Sequence, residues 1–231
     1  MRHGATAASE LDAFCGWLDP PLLQSGRRAA RRVGRLLIAH GLVPQAVFCS
    51  TLTRSSQTAE AIVAEVLDGA VPIHRDWRLN ERHYGALQGR SKDQVRDEVG
   101  ADQLRVWRRT WDGVPPECSE SEQTALLASP PFANLKEPLP RAESLAMVAE
   151  RVAPSWRTIV ETTPASGSTL VVGHSTSLRA MIALAEQRIP GEAGDLEIPL
   201  TTPILVEFRG PGRLGQLRYL DPVTDDDQGT L

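Results

Sequence analysis

Apolar positions along the 231-residue chain follow two rhythms, one of three to four residues and one of short continuous runs. Residues 25–43 ("SGRRAARRVGRLLIAHGLV") set Ala30, Val33, Leu36 and Leu37 at helical steps among arginines, and Gly41 closes the pattern. The apolar run at 44–50 ("PQAVFCS") predicts a short strand, and 53–69 predicts a second helix ended by its own glycine. Residues 71–81 begin extended, and 91–111 predict a polar helix with arginines crowding its end. Periodicity then vanishes over 112–142, where Pro115, Pro116, Pro130, Pro131, Pro138 and Pro140 fall. That stretch is expected to be an irregular insertion or lid rather than core. Order returns with a helix over 142–164, expected to bend near Pro154. The run "GSTLVVGH" (167–174) is the clearest buried strand, and it feeds a helix over 175–189. Late strands are expected at 203–209 and 215–221, followed by a mobile acidic tail, 222–231.

Strands alternating with helices predict an α/β fold: three layers, with a mainly parallel sheet flanked by helices, in a single domain over 1–221. Such sheets carry their sites at the carboxyl ends of the strands. His174 stands at the end of its strand, and His3 in the N-terminal turn. A strand should precede His3, yet only Met1 and Arg2 do, so the first core strand is expected to be missing from the sequence as it stands.

Composition narrows the function classes. With 25 Lys+Arg against 29 Asp+Glu the formal charge is −4, which argues against a protein that wraps nucleic acid and leaves room for a local cationic pocket. No apolar run reaches the ~18 residues of a membrane span. The opening "MRHGATAASE" has no secretory pattern. Cys15, Cys49 and Cys118 are scattered, fit neither a disulfide framework nor a zinc site, and suit a reducing cytoplasm.

Four segments carry chemistry. In "RHG" (2–4) a histidine sits between an arginine, which offers a fork of donors to phosphate oxygens, and a glycine that permits close backbone approach. "STLTRSSQTA" (50–59) puts Arg54 at a helix start after a strand, where backbone N–H groups and a guanidinium can face one anion. "LNERHYGALQG" (79–89) supplies a carboxylate suited to shuttling a hydroxyl proton. "GHSTSLR" (173–179) adds the second histidine.

Together these strings resemble the histidine phosphatase superfamily, and more closely its cofactor-dependent phosphoglycerate mutase branch. "FCGWLDPPLLQSG" (14–26), "VWRRTW", "PPE" and "ESLAMVAERVAPSW" are similar to that branch, and "LNERHYGALQG" is the most discriminating string. The resemblance implies that His3 is a nucleophile carrying a phosphoryl group, with Arg2, Arg54 and His174 around it. It implies Glu81 as general acid and base for the 2- and 3-hydroxyls of the substrate. Arg108, Arg109, Lys92 and Tyr84 would hold the substrate's far end, with backbone donors around Cys15 and Gly16. Ser9, Arg82, His83, Ser175 and Thr176 complete the implied binding set. The implied activity is that of an isomerase interconverting 2- and 3-phosphoglycerate in glycolysis and gluconeogenesis, primed by 2,3-bisphosphoglycerate and needing no metal. The resemblance also implies a cytoplasmic homo-oligomer that acts on a small molecule, with no nucleic-acid or membrane partner. A phosphatase of small phosphorylated metabolites, or a non-catalytic relative, remains the alternative.

Four departures from the branch pattern stand out. The opening strand is absent; Ala5 replaces a glutamate and Ser9 an asparagine; "HST" (174–176) replaces histidine–glycine–asparagine; Cys15 replaces a threonine or serine.

Overall fold

The computed structural model describes residues 1–66, 70–130, 132–133, 135, 137–186, 196–208 and 214–220. Its centre is a parallel sheet of β1 (Ala46–Cys49), β2 (Ile73–Arg75) and β3 (Thr169–Val172) in the order β2-β1-β3. Helices α2 (Gln24–Ala39) and α3 (Thr53–Val63) cover one face, after a short α1 (Ala7–Glu10). There Ala30, Val33, Leu37 and Ile62 pack on Val47, Cys49, Leu170 and Val172. Helices α7 (Leu145–Thr162) and α8 (Ser175–Glu186) cover the other, with Val148, Val152, Ile159 and Met181 against Phe48 and Val171. Successive strand residues therefore serve opposite layers, as the pleat requires. An antiparallel pair, β4 (Ile204–Phe208) and β5 (Leu214–Tyr219), stands apart from this sheet.

Several expectations are corrected. The helix expected over 91–111 is two helices, α4 (Lys92–Val99) and α5 (Ala101–Arg109), broken at Gly100, whose φ of 83° leaves the right-handed helical region. The stretch 112–142 contains helix α6 (Glu120–Ala128), started by a capping box in which Ser119 and Glu122 exchange hydrogen bonds. Nor is it detached from the core, because Phe132 stacks on Trp17 with centroids 5.0 Å apart, in a cluster with Leu52 and Leu126. The helix expected over 142–164 spans Leu145–Thr162 as α7, with Pro154 inside it. Residues 67–69, 187–189, 209, 221 and the tail 222–231 lie outside the described residues.

Residues 1–3 take a strand-like place beside β3. Gly173 N donates to Met1 O (3.0 Å) and His3 N to Gly173 O (3.0 Å), while Thr201 N donates to Arg2 O (3.2 Å). Arg2 thus forms parallel bridges to Gly173 on one side and Leu200 on the other, in the position of a strand beside β3. The Met1 amine is buried and donates to Val171 O (2.7 Å), and burial lowers its pKa to about 5. Beyond it, a cleft of about 910 Å³ is lined by Met1, Leu170, Val171, Ile204, Leu205 and Val206, with Trp156, Ile159, Met181 and Ile182 from the two helices.

Candidate active site

The pairings at Met1–His3 have a chemical consequence: they set His3 beside the end of β3, where the chain turns into α8 through His174. β1 ends in the turn that presents Arg54 on the first turn of α3, and β2 leads through a 3₁₀ turn, Trp77–Leu79, to Glu81. All four residues stand at carboxyl ends of parallel strands. Close backbone packing fixes the turn after His3, since a Cβ on Gly4 would lie 2.8 Å from the Gly26 carbonyl oxygen. Only glycine fits there.

His3 and His174 are both buried, with ring centroids 5.0 Å apart. His3 Nδ1 lies 2.7 Å from Gly4 O, an atom that can only accept, so Nδ1 carries the proton and Nε2 presents its lone pair. Arg54 Nε lies 3.3 Å from that Nε2. Burial first, then the charges of Arg54 and Arg2, hold the His3 pKa well below its ordinary value. His174 is lowered likewise, by burial and then by Arg54 and His3. Both rings are therefore neutral at pH 7.

Arg54 is 1% exposed and pairs with no carboxylate among the described residues. Its Nη1 donates to Leu18 O and its Nη2 to Gly16 O, both at 2.8 Å. A buried cation oriented by two carbonyls and the His3 ring, with no carboxylate partner among the described residues, has the chemistry to meet an incoming anion. Arg2 Nη1 donates to Ile198 O (3.4 Å), and its buried Nε has no acceptor among the described residues.

A cavity of about 210 Å³ opens over His3. Arg2, Arg54, Lys92, Arg108, Arg109 and Arg179 line it, against the carboxylates Glu81 and Asp12, the latter paired with Lys92. Ser9, Cys15, Gly16, Tyr84 and Ser175 complete the expected lining. Glu81 Oε1 accepts from Arg82 N (2.8 Å) and Thr176 N (3.1 Å), which anchors the carboxylate at the start of α8.

Other expected residues are placed elsewhere. Arg82 points away from the cavity: its Nε donates to Glu143 O (2.5 Å) and its Nη2 to Gly113 O (2.6 Å). His83 is buried against Trp17, its Nδ1 accepting from Gly85 N (3.0 Å). Neither lines the cavity: these atoms serve the backbone that shapes the loop, while Arg82 Nη1 and His83 Nε2 are buried without a partner among the described residues. Thr176 lies behind the lining, its hydroxyl 3.3 Å from that of Tyr84. Ser9 reaches the cavity, but its hydroxyl accepts from Thr6 N and donates to Thr6 O, both at 2.8 Å, in the cap of α1.

Sequence reasoning passed over Arg179, Ser50 and the Glu143–Arg151 pair. Arg179 follows Ser175 by one helical turn and shares its face, the spacing that could have flagged it. Glu143 and Arg151 form a buried ion pair (2.6 Å), and Arg151 Nη1 also donates to Arg78 O (2.7 Å) and Asn80 O (3.2 Å). Its Nη2 donates to Glu81 O (3.3 Å). The pair clamps the loop that carries Glu81.

The comparisons agree with this architecture. A family model described as histidine phosphatase superfamily (branch 1) matches residues 1–127 and 127–218. The chain is 39% identical over 228 residues to the 2,3-bisphosphoglycerate-dependent phosphoglycerate mutase of Bifidobacterium longum strain DJO10A, covering 96% of this chain and 91% of that one. By fold it matches a putative α-ribazole-5'-P phosphatase from Escherichia coli (TM-score 0.71, 21% identity, 96% and 93% covered). It also matches a mycobacterial glucosyl-3-phosphoglycerate phosphatase (TM-score 0.67, 21% identity, 94% and 93% covered). With a matched model across nearly its whole length and a relative above a third identical, the chain belongs to the histidine phosphatase superfamily and, by sequence, to its cofactor-dependent phosphoglycerate mutase branch.

Proposed function

We propose that this protein is a phosphoglycerate mutase that interconverts 2- and 3-phosphoglycerate through a phosphoryl group carried on His3. The observation that carries the reading is the neutral His3 imidazole, its Nδ1 proton held by Gly4 O and its Nε2 facing Arg54 at 3.3 Å. In the first half-reaction, on the primed enzyme, the free hydroxyl of the bound monophosphoglycerate attacks the phosphorus on His3, its proton passes to Glu81, and the N–P bond breaks to give the bisphosphate. In the second, His3 Nε2 attacks the other phosphoryl group, the N–P bond forms as that P–O bond breaks, and Glu81 gives the proton to the leaving oxygen. With both of its hydrogen bonds on Oε1, Glu81 has Oε2 for that exchange. Arg2, Arg54 and the neutral His174 surround the phosphoryl oxygens, whose charge spreads in transit.

The donor set fits 2,3-bisphosphoglycerate as priming substrate, because six cations line the cavity: Arg2, Arg54, Lys92, Arg108, Arg109 and Arg179. Retention of the doubly phosphorylated intermediate by these cations separates a mutase from a phosphatase. One observation favours the phosphatase reading: the Ser9 hydroxyl is committed to the α1 cap, which removes a donor from the phosphoryl end.

The test incubates the purified protein with labelled 2,3-bisphosphoglycerate. Acid-labile label on His3, with conversion of 3- to 2-phosphoglycerate, is the expected result. Free phosphate without isomerisation supports the phosphatase, and a folded, unlabelled protein refutes both. His3→Ala must abolish uptake of label.

A further inference from the structure

The neutral His174 ring carries one proton, and its two nitrogens have unequal surroundings. Nε2 lies 2.7 Å from Ser50 Oγ, at the end of β1. Nδ1 is buried with no partner among the described residues. Ser50 itself is fully buried, and its oxygen accepts from Leu52 N (3.3 Å). The hydroxyl proton then has one acceptor within reach among the described residues, the Nε2 lone pair. If Ser50 donates there, the ring proton must sit on Nδ1.

We propose that Ser50 is a positioning residue that fixes His174 as the Nδ1–H tautomer, so that a buried donor without an acceptor among the described residues stands ready for an oxygen of the phosphoryl group on His3. The proposal deepens the phosphohistidine reading and rests on it for the identity of that acceptor. The alternative tautomer would give Nε2–H to Ser50 and leave a lone pair facing the phosphoryl oxygens, a repulsive arrangement in a site of low dielectric. The Ser50 hydroxyl makes the choice, because with Leu52 N already donating to its oxygen its proton finds an acceptor among the described residues only when Nε2 carries no hydrogen. Ser50 is held in turn: its backbone N donates to Ser55 Oγ (3.2 Å), and its carbonyl accepts from Ser56 Oγ (3.2 Å). Ser55 Oγ also donates to Val172 O (2.7 Å), tying the turn after β1 to the strand that ends at His174. The hydroxyl and the ring are thus set by one hydrogen-bonded unit spanning two adjacent strands.

The experiment has two readouts. Two-bond ¹H–¹⁵N correlation spectra of the uniformly ¹⁵N-labelled protein report which nitrogen of each imidazole is protonated, with the His174 signals assigned by their loss in His174→Gln. Nδ1–H is expected in the unsubstituted protein, and a populated Nε2–H form overturns the proposal without any variant being needed. The second readout is the rate at which labelled 2,3-bisphosphoglycerate phosphorylates His3. Ser50→Ala is expected to shift the tautomer toward Nε2–H and to slow labelling by about 10- to 100-fold, the range for partners that orient a working histidine. Ser50→Thr keeps the hydroxyl and restores both. A Ser50→Ala protein that keeps Nδ1–H, or labels at the unsubstituted rate, refutes the role. If the unsubstituted protein takes up no label, the phosphohistidine reading fails while the spectra still decide whether Ser50 sets the ring.

Discussion

Replacing Arg151 by methionine tests whether a buried ion pair holds the catalytic loop. Its guanidinium is 6% exposed, and the Glu143 carboxylate 2%. Arg151→Met keeps much of the apolar stem and removes the charge. Glu143 is then left with His83 N (2.8 Å) as its main donor, the carbonyls of Arg78 and Asn80 lose theirs, and Glu81 O keeps only Trp17 Nε1 (2.5 Å). Breaking one side of a buried pair costs about 3–5 kcal/mol, because the remaining charge stays desolvated. Against the roughly 5–15 kcal/mol typical of a folded protein, that is a large fraction. At roughly 2–4 °C per kcal/mol for a chain of this size, the melting temperature should fall by about 6–20 °C. Urea unfolding followed by tryptophan fluorescence measures the loss, and the double variant Glu143→Leu/Arg151→Met should be less destabilised than the sum of the two single changes. Since Arg151 reaches Glu81 through its carbonyl, turnover should drop even where the variant remains folded. A loss below about 1 kcal/mol, with turnover unchanged, would refute the clamp and with it the account of how Glu81 is placed.

Four further outcomes are expected. His83 has its pKa lowered to about 4 by burial; the unfolded chain therefore binds the extra proton between about pH 6.5 and 4, and stability should decline by roughly 3 kcal/mol as pH falls through that window. Guanidinium melts at about pH 7.5, 5.5 and 4.5, which span that window, should show the decline, with a smaller one in His83→Asn. Arg54→Lys keeps the charge but loses the fork held by Leu18 O and Gly16 O, so labelling of His3 should slow by about a hundredfold, and an unchanged rate would remove Arg54 from the phosphoryl site. Gly4→Ala drives a Cβ to within 2.8 Å of the Gly26 carbonyl; labelling should fall together with melting temperature, and retention of both would show that the turn has slack. An extension of about five apolar β-branched residues ahead of Met1 should run into the cleft beside β3, each buried side chain adding about 1.5–3 kcal/mol. A melting temperature that does not rise would show that the cleft is not strand-shaped.

Much of the architecture was legible in local pattern. The three- and four-residue steps of Ala30, Val33, Leu36 and Leu37 mark the face that α2 buries, and the run before His174 marks β3. These signals are local because each face is defined by side chains a turn or a pleat apart. Glu143 and Arg151 belong to a string already similar to the family, yet their pairing beneath Glu81 depends on how α7 crosses the 77–81 loop. The helix after Ser119 was hidden by the prolines on either side, although its capping box was present in the sequence.

By itself, then, the sequence determined the α/β class, placed His174 at a strand end, and marked His3 with its arginine neighbour as a candidate for phosphoryl chemistry, because adjacent residues encode those features. Tertiary structure alone decided which polar groups are consumed by the protein and which face the cavity. Ser9, Arg82 and His83 carry suitable chemistry, but contacts to Thr6, Glu143, Gly113 and Gly85 commit them elsewhere. Arg179, never singled out, lines the cavity. The physical reason is that a side chain's availability depends on every partner folding brings within about 3 Å of it, and most of those partners are distant along the chain.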